Sequence, residues 1–177
     1  MTPRSEEHFS TIKSIQIDSC ALGRHVKGIS DVCIDFPADE NSAPDVVILR
    51  EGAQRQGTRH VFEDVLLIAK VVSASSACKD YDDCTAKYGR YGIPVYVVVD
   101  PYAAEVVVHT QLTGSGYIAA HTRKYGSGKL PIELADGRNY TFDLDELPRP
   151  RQTPTDARHA TSIYSRLEEP NSIRSFA

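Results

Sequence analysis

The sequence predicts a mixed α/β fold, and three observations carry that expectation. Short, apolar, β-branched runs at Val46–Leu49, Val65–Val72 and Val95–Val99 read as strands buried on both faces. A tyrosine-bearing helical stripe lies between the second run and the third. Beyond them, Thr113-Gly-Ser-Gly116 joins two longer segments as an antiparallel hairpin. The expected architecture is a mixed central β-sheet flanked by helices.

The elements follow in chain order. Ser5 is placed to cap a helix over Ser5–Leu22, Glu6 and Glu7 suit its first turn, and Phe9, Ile12, Ile15 and Ile17 approach helical spacing. Gly23 and Gly28 bracket a polar turn. Val32, Ile34 and Phe36 then alternate with Cys33 and Asp35, as a half-buried strand does. Residues 37–43 read as a loop, Val46–Leu49 as a buried strand, and Gly52–Arg59 as a polar loop. Val65–Val72 is a buried-strand pattern broken by Lys70, whose ammonium needs a partner or water. Asp80 can cap the next helix, on which Tyr81, Cys84, Tyr88 and Tyr91 recur at i, i+3, i+7 and i+10 and turn Cys84 inward. Gly92 ends this helix, and Val95–Val99 is then a central strand. Strand, helix and strand within this length make a right-handed parallel crossover. Glu105–Leu112 and Tyr117–Tyr125 form the hairpin, and Tyr140–Leu144 adds a last strand. His109 and His121 fall on its two strands, where they could face each other, although surface histidines with satisfied nitrogens are the commoner outcome.

Composition narrows the function classes. The chain has 177 residues, enough for one domain with a sizeable core. Its formal net charge of -4 excludes a protein that holds nucleic acid by bulk electrostatics and leaves only a local basic groove. Met1–Phe9 lacks the apolar segment of a signal peptide, and no run approaches the roughly 20 apolar residues of a membrane span. The expected location is cytoplasmic, with no membrane partner. Cys20, Cys33, Cys78 and Cys84 are therefore read as thiols, and the absence of a CxxC pair argues against structural zinc. Residues 148–177 carry four prolines and five arginines against three acids, so the domain is expected to span 1–147 and the remainder to be a disordered tail.

The order Pro44-Asp45, apolar strand, tyrosine helix and Gly92-Ile-Pro-Val-Tyr-Val-Val-Val-Asp-Pro101 resembles the Uma-type putative restriction endonuclease branch of the PD-(D/E)XK nuclease superfamily. The resemblance covers residues 8–147. It implies a restriction-endonuclease-like fold, Mg²⁺ as cofactor and DNA as partner. In that family the first metal-binding carboxylate follows a proline at a strand start, which Asp45 matches. The second is a glutamate in a strand reading apolar-Glu-Val-apolar-Ser. The matching stretch here is Ala69-Lys70-Val71-Val72-Ser73, so Lys70 stands where the acid is expected. The family's lysine, between positions matching Asp80 and Tyr88, is replaced by Cys84, with Lys87 one turn further along. A second frame takes Ile68-Ala69-Lys70 as the (D/E)XK triplet, which keeps the lysine and loses the acid. Glu63 and Asp64 lie about 20 Å along an extended strand from Lys70, too far to substitute without a bulge.

A hard divalent cation needs converging oxygen ligands, and a single carboxylate beside an ammonium is a poor site for one. Asp45 is thus a metal ligand or a former one, and Lys70 is either a charge-stabilising catalytic group or the partner of Asp45 in a salt bridge. Cys84 is either a small core residue or a nucleophile. Three functional readings remain open. The first is an active Mg²⁺-dependent endonuclease using Asp45 with Lys70 or Lys87. The second is a nuclease fold with impaired cleavage that binds a partner in the same cleft. The third is a repurposed biosynthetic enzyme in which Lys70, Cys84 and nearby tyrosines act on a small molecule or peptide. A homodimer is compatible with each.

Overall fold

The structure, a computed structural model, describes residues 6–23, 28–39, 42–73 and 79–149. Helix α1 (Glu6–Ser19) leads through a short 3₁₀ turn at Cys20–Leu22 to the strands β1 (Gly28–Ile29), β2 (Cys33–Asp35) and β3 (Val46–Leu49). Strands β4 (Arg59–Val61) and β5 (Val65–Val71) follow, then a π-turn at Lys79–Asp83 that runs into α2 (Cys84–Arg90). Strands β6 (Val95–Asp100), β7 (Glu105–Thr113), β8 (Gly116–Lys124), β9 (Lys129–Glu133) and β10 (Asn139–Asp143) complete the order.

The main sheet has the order β1-β3-β5-β6-β7-β8. Only β5 and β6 run parallel in it, as the strand-helix-strand pattern requires, and the other pairs are antiparallel. Two small sheets flank it, a parallel β2–β4 pair and an antiparallel β9–β10 pair. Every residue of β3 and of β6 is buried, which is why both read as unbroken apolar runs.

Alternation along the central strands sends side chains into two cores. On one face Val46, Ile48, Leu67, Ala69, Val97 and Val99 pack with Ile12 and Ile15 of α1 and with Ile132, Tyr140 and Phe142 of the β9–β10 pair. On the other, Val47, Leu49, Ile68, Val72, Tyr96 and Val98 pack with Cys84 and Tyr88 of α2 and with Ile34 and Phe36. Each fully buried aliphatic side chain contributes about 1.5–3 kcal/mol relative to exposure, so these layers dominate the stability.

Several expectations are corrected. Phe9 and Ile17 of α1 are 57% and 60% exposed, and the inward face is His8, Thr11, Ile12, Ile15 and Ser19. That choice follows from packing on β1, where the Ser19 Oγ accepts the Gly28 N–H at 2.7 Å and no room is left for a side chain at Gly28. Polar segments read as turn and loop supply β1 and β4, which form because β3 and β2 offer free edges. Asp80, expected near the start of the second helix, is buried within the π-turn that leads into it. The Ser5 cap, Cys78 and the tail beyond residue 149 lie outside the described residues. Cys20, Cys33 and Cys84 are in no disulfide among the described residues.

Candidate functional site

Asp45 stands one residue before β3. Because Val46 pairs with Ala69 in the antiparallel β3–β5 ladder, Asp45 falls opposite Lys70, on the face that carries α2. The Lys70 Nζ lies 3.1 Å from Asp45 Oδ2, and the Val71 N–H donates to the same oxygen at 2.9 Å. The other oxygen, Oδ1, faces His8 of α1, whose Nε2 is 3.4 Å away. Only 3% of the Asp45 side chain is exposed, against 18% for Lys70, whose stem reaches from the core toward solvent.

The electrostatics follow from that geometry. Burial alone raises the pKa of the Asp45 carboxyl. The hydrogen-bonding partner His8, the Lys70 charge and the Val71 N–H together outweigh it and bring the value down to about 2. Asp45 is therefore a fixed anion, with the Lys70 side chain as its partner.

Around this pair, the Tyr88 and Ser42 hydroxyls are joined at 2.7 Å, which ties α2 to the segment entering β3. Burial keeps the Tyr88 phenol protonated far above neutral pH, and the nearby Asp80 and Asp45 charges push the same way. Tyr96 donates its hydroxyl to the Asp80 carbonyl at 2.7 Å. Cys84 is buried in the same core as Tyr88 and Tyr96. Lys87 turns over the Phe36 ring, 4.8 Å from its centroid. Of the residues singled out from the sequence, then, Asp45 and Lys70 form the charged centre, Cys84 belongs to the packing behind it, and Lys87 covers an aromatic ring.

The Val-Asp-Pro segment has a structural role. Asp100 is fully buried, its Oδ1 accepts the N–H groups of Tyr102 and Ala103 at 2.9 Å each, and its Oδ2 accepts the Tyr81 hydroxyl at 3.1 Å. It closes the turn after β6 and anchors the π-turn. Asp64 pairs with Arg50 at 3.4 Å, away from Lys70. His109 and His121 do not face each other: His109 is opposite Ala120 and His121 opposite Val108, so their side chains leave opposite faces. Nor is His109 a satisfied surface group. Its ring stacks on Tyr96, its Nε2 is buried with no hydrogen-bond partner among the described residues, and burial lowers its pKa.

The family model Uma2, described as "Putative restriction endonuclease", matches residues 1–135. The chain belongs to this family. Its fold is similar to the crystal structure of a putative nuclease belonging to DUF820 from Anabaena variabilis ATCC 29413, with a TM-score of 0.60, 11% identity, and coverage of 83% of this chain and 82% of that one. A chain of the DrdV–DNA complex is a more distant likeness, with a TM-score of 0.32, 13% identity, and coverage of 67% of this chain and 12% of that one. No curated protein matches the chain. The family and the nuclease-like fold expected from the Pro-Asp and Gly-Ile-Pro-Val-Tyr segments are thus established.

The Mg²⁺ that the family resemblance implies does not suit the residues at the centre of this site. An octahedral ion needs several oxygen donors, whereas the site offers one carboxylate with an ammonium at 3.1 Å. Among the described residues no group of three or more His, Cys, Asp or Glu side chains is arranged to hold a metal. No described helix is long and apolar enough to cross a membrane.

His8 is the site residue that the sequence reading missed. A signal was present: His8 shares a helical face with Ile12 and Ile15, at i+4 and i+7. Reading the stripe from Phe9 instead turned the histidine outward.

Proposed function

We propose that this family member is a nuclease-fold protein whose metal-dependent DNA cleavage is impaired, with Asp45 a former metal position and Lys70 in the place of the ion. The observation that carries the reading is the 3.1 Å contact of Lys70 Nζ with Asp45 Oδ2. A divalent cation brought to the same carboxylate meets the ammonium at close range, where like charges repel strongly in a partly desolvated site. The low pKa of Asp45 supports the same view, since it marks a carboxylate already compensated by its own neighbours. DNA is the substrate class that the family name suggests. In this reading Lys87 and Cys84 take no chemical part.

Digestion of supercoiled plasmid with Mg²⁺ or Mn²⁺ tests the proposal. The expected result is no divalent-dependent nicking above that of an Asp45→Ala control. Robust cleavage by the wild-type protein that disappears in Asp45→Ala would overturn it.

A further inference from the structure

We infer that β8 is a dimerisation edge: it pairs antiparallel with β8 of a second copy of this chain, centred on Ala120, and joins the two main sheets into one.

The main sheet ends on one side in β1, of two residues, and on the other in β8, of nine. β8 pairs only with β7, and no proline interrupts it to blunt its outer side. The direction of its backbone groups follows from the ladder. The Val72 N–H donates to the Val99 carbonyl, so Val99 faces β5 while Val98 and Asp100 face β7. Those two pair with Val107 and Glu105, which leaves Val106 and Val108 turned to β8, where their partners are Arg123 and His121. The Tyr125 N–H, which donates to the Ala104 carbonyl at 2.9 Å, falls in the same phase. The alternate residues Ala120, Thr122 and Lys124 thus direct their N–H and C=O groups away from the sheet. The Lys124 carbonyl accepts the Ser127 hydroxyl at 2.6 Å, but among the described residues nothing bonds the outward groups of Ala120 and Thr122. Every residue from Ala120 to Lys124 is also exposed, so this half of the strand is open on both faces as well as along its edge.

A second copy of the same strand fits this edge. Set opposite itself across a two-fold axis normal to the sheet, Ala120 exchanges two N–H···O=C bonds with its counterpart, and outward groups meet outward groups on either side. The register brings Ile118, which is 66% exposed, beside Thr122 of the second copy, a cross-strand contact between β-branched side chains. Charge placement selects the antiparallel arrangement. Lys124 is paired with Glu105 at 2.6 Å. Arg123 lies three residues from the axis, so the two Arg123 positions are about 20 Å apart along the ladder, well beyond the roughly 8 Å Debye length at physiological salt. A parallel copy would instead set Arg123 beside Arg123 and Lys124 beside Lys124. Between Gly116 and Thr122 the strand carries no Asp, Glu, Lys or Arg, so nothing on it recruits a charged peptide in preference to a neutral strand of its own kind.

Sedimentation of the full chain over a range of concentrations, with amide hydrogen exchange at the same concentrations, tests the inference. The wild-type protein should form a dimer of about 39 kDa, twice the 19.5 kDa of one chain, and the Ala120 and Thr122 amides should gain protection as it forms. Thr122→Pro removes an outward donor at a position where an edge strand tolerates proline. By symmetry the dimer then loses two hydrogen bonds, and its dissociation constant should rise about tenfold to a hundredfold. Ala120→Glu changes a side chain that is exposed in the single chain, yet sets two carboxylates directly opposite each other on the axis, so it too should weaken the dimer. It carries the test if circular dichroism shows that the proline variant does not fold. A wild-type chain that stays monomeric throughout the titration overturns the inference, as does a dimer whose affinity Ala120→Glu leaves unchanged. Protection of the Ala120 and Thr122 amides that does not vary with concentration would mean that another segment of the same chain covers the edge, and overturns it as well.

Discussion

Asp45→Asn is the most direct probe of the buried pair, because it keeps the side chain's shape and removes its charge. The carboxyl's pKa is lowered from 3.8 to about 2. At about 1.4 kcal/mol per unit, the native neighbourhood favours the anion by about 2 kcal/mol. Breaking a buried ion pair from one side costs about 3–5 kcal/mol, because the surviving charge is left uncompensated. Here 18% of the Lys70 side chain meets solvent, which moderates that penalty. We expect Asp45→Asn to lose about 2–3 kcal/mol at neutral pH, seen in urea unfolding as a lower midpoint with an unchanged slope. The acid limb provides an independent check. A carboxylate whose folded pKa lies below its unfolded value contributes fully above pH 3.8 and loses that contribution as the pH falls toward 2. The wild-type stability should fall through that window more steeply than that of Asp45→Asn. A variant within about 0.5 kcal/mol of wild type, the range usual for an ordinary surface substitution, would refute the argument. So would an acid limb of identical slope.

Two other substitutions test the scaffold around the site. Gly89→Ala places a methyl 3.0 Å from the Gly116 Cα and 3.3 Å from the Tyr117 N, where backbone has to move; it should lower stability by about 1–3 kcal/mol in thermal unfolding, the usual cost of overpacking. Asp100→Ala strips the acceptor from the Tyr102 and Ala103 N–H groups and the Tyr81 hydroxyl. A loss of about 3 kcal/mol is expected, with faster amide exchange in the turn after β6 as the local signature.

The legible part of this fold is the part governed by burial on both faces. Strands β3, β5 and β6 announce themselves because no polar alternation is needed between two cores. The parallel crossover follows from the helix between β5 and β6. Strands β1, β4 and β9 were not legible, for a shared reason: each is short, polar or interrupted, and exists because a neighbour offers hydrogen bonds. Pro131 lies inside β9 and reads as a strand breaker, yet β9 pairs on one side only, with β10, so a missing N–H costs little there. At the site, the Asp45–Lys70 pair was accessible because a lysine inside an apolar run demands a partner, and only an acid at the start of the adjacent strand could supply it. His8 was not, since helical spacing leaves two neighbouring faces and the choice between them is made by Gly28 and Asp45, far along the chain.

In the function proposed above, Lys70 stands in for an acid and an ion together, and charge balance is what lets the buried site keep its fold. Two carboxylates and one divalent cation sum to zero charge, and so do Asp45 and Lys70. A buried site that preserves neutrality avoids the desolvation cost of a naked anion, whichever cation supplies the balance. Reversing the exchange should expose that dependence. Lys70→Glu alone sets two carboxylates opposite each other, so its stability becomes a function of added cation, rising by about 2.7 kcal/mol when free ion exceeds its dissociation constant a hundredfold. The melting temperature of Lys70→Glu should climb with added Mg²⁺ or Mn²⁺ while that of the wild-type protein stays level. A wild-type melting temperature that climbs equally, and loses the response in Asp45→Asn, would mean that the ammonium and the ion do not compete for one place.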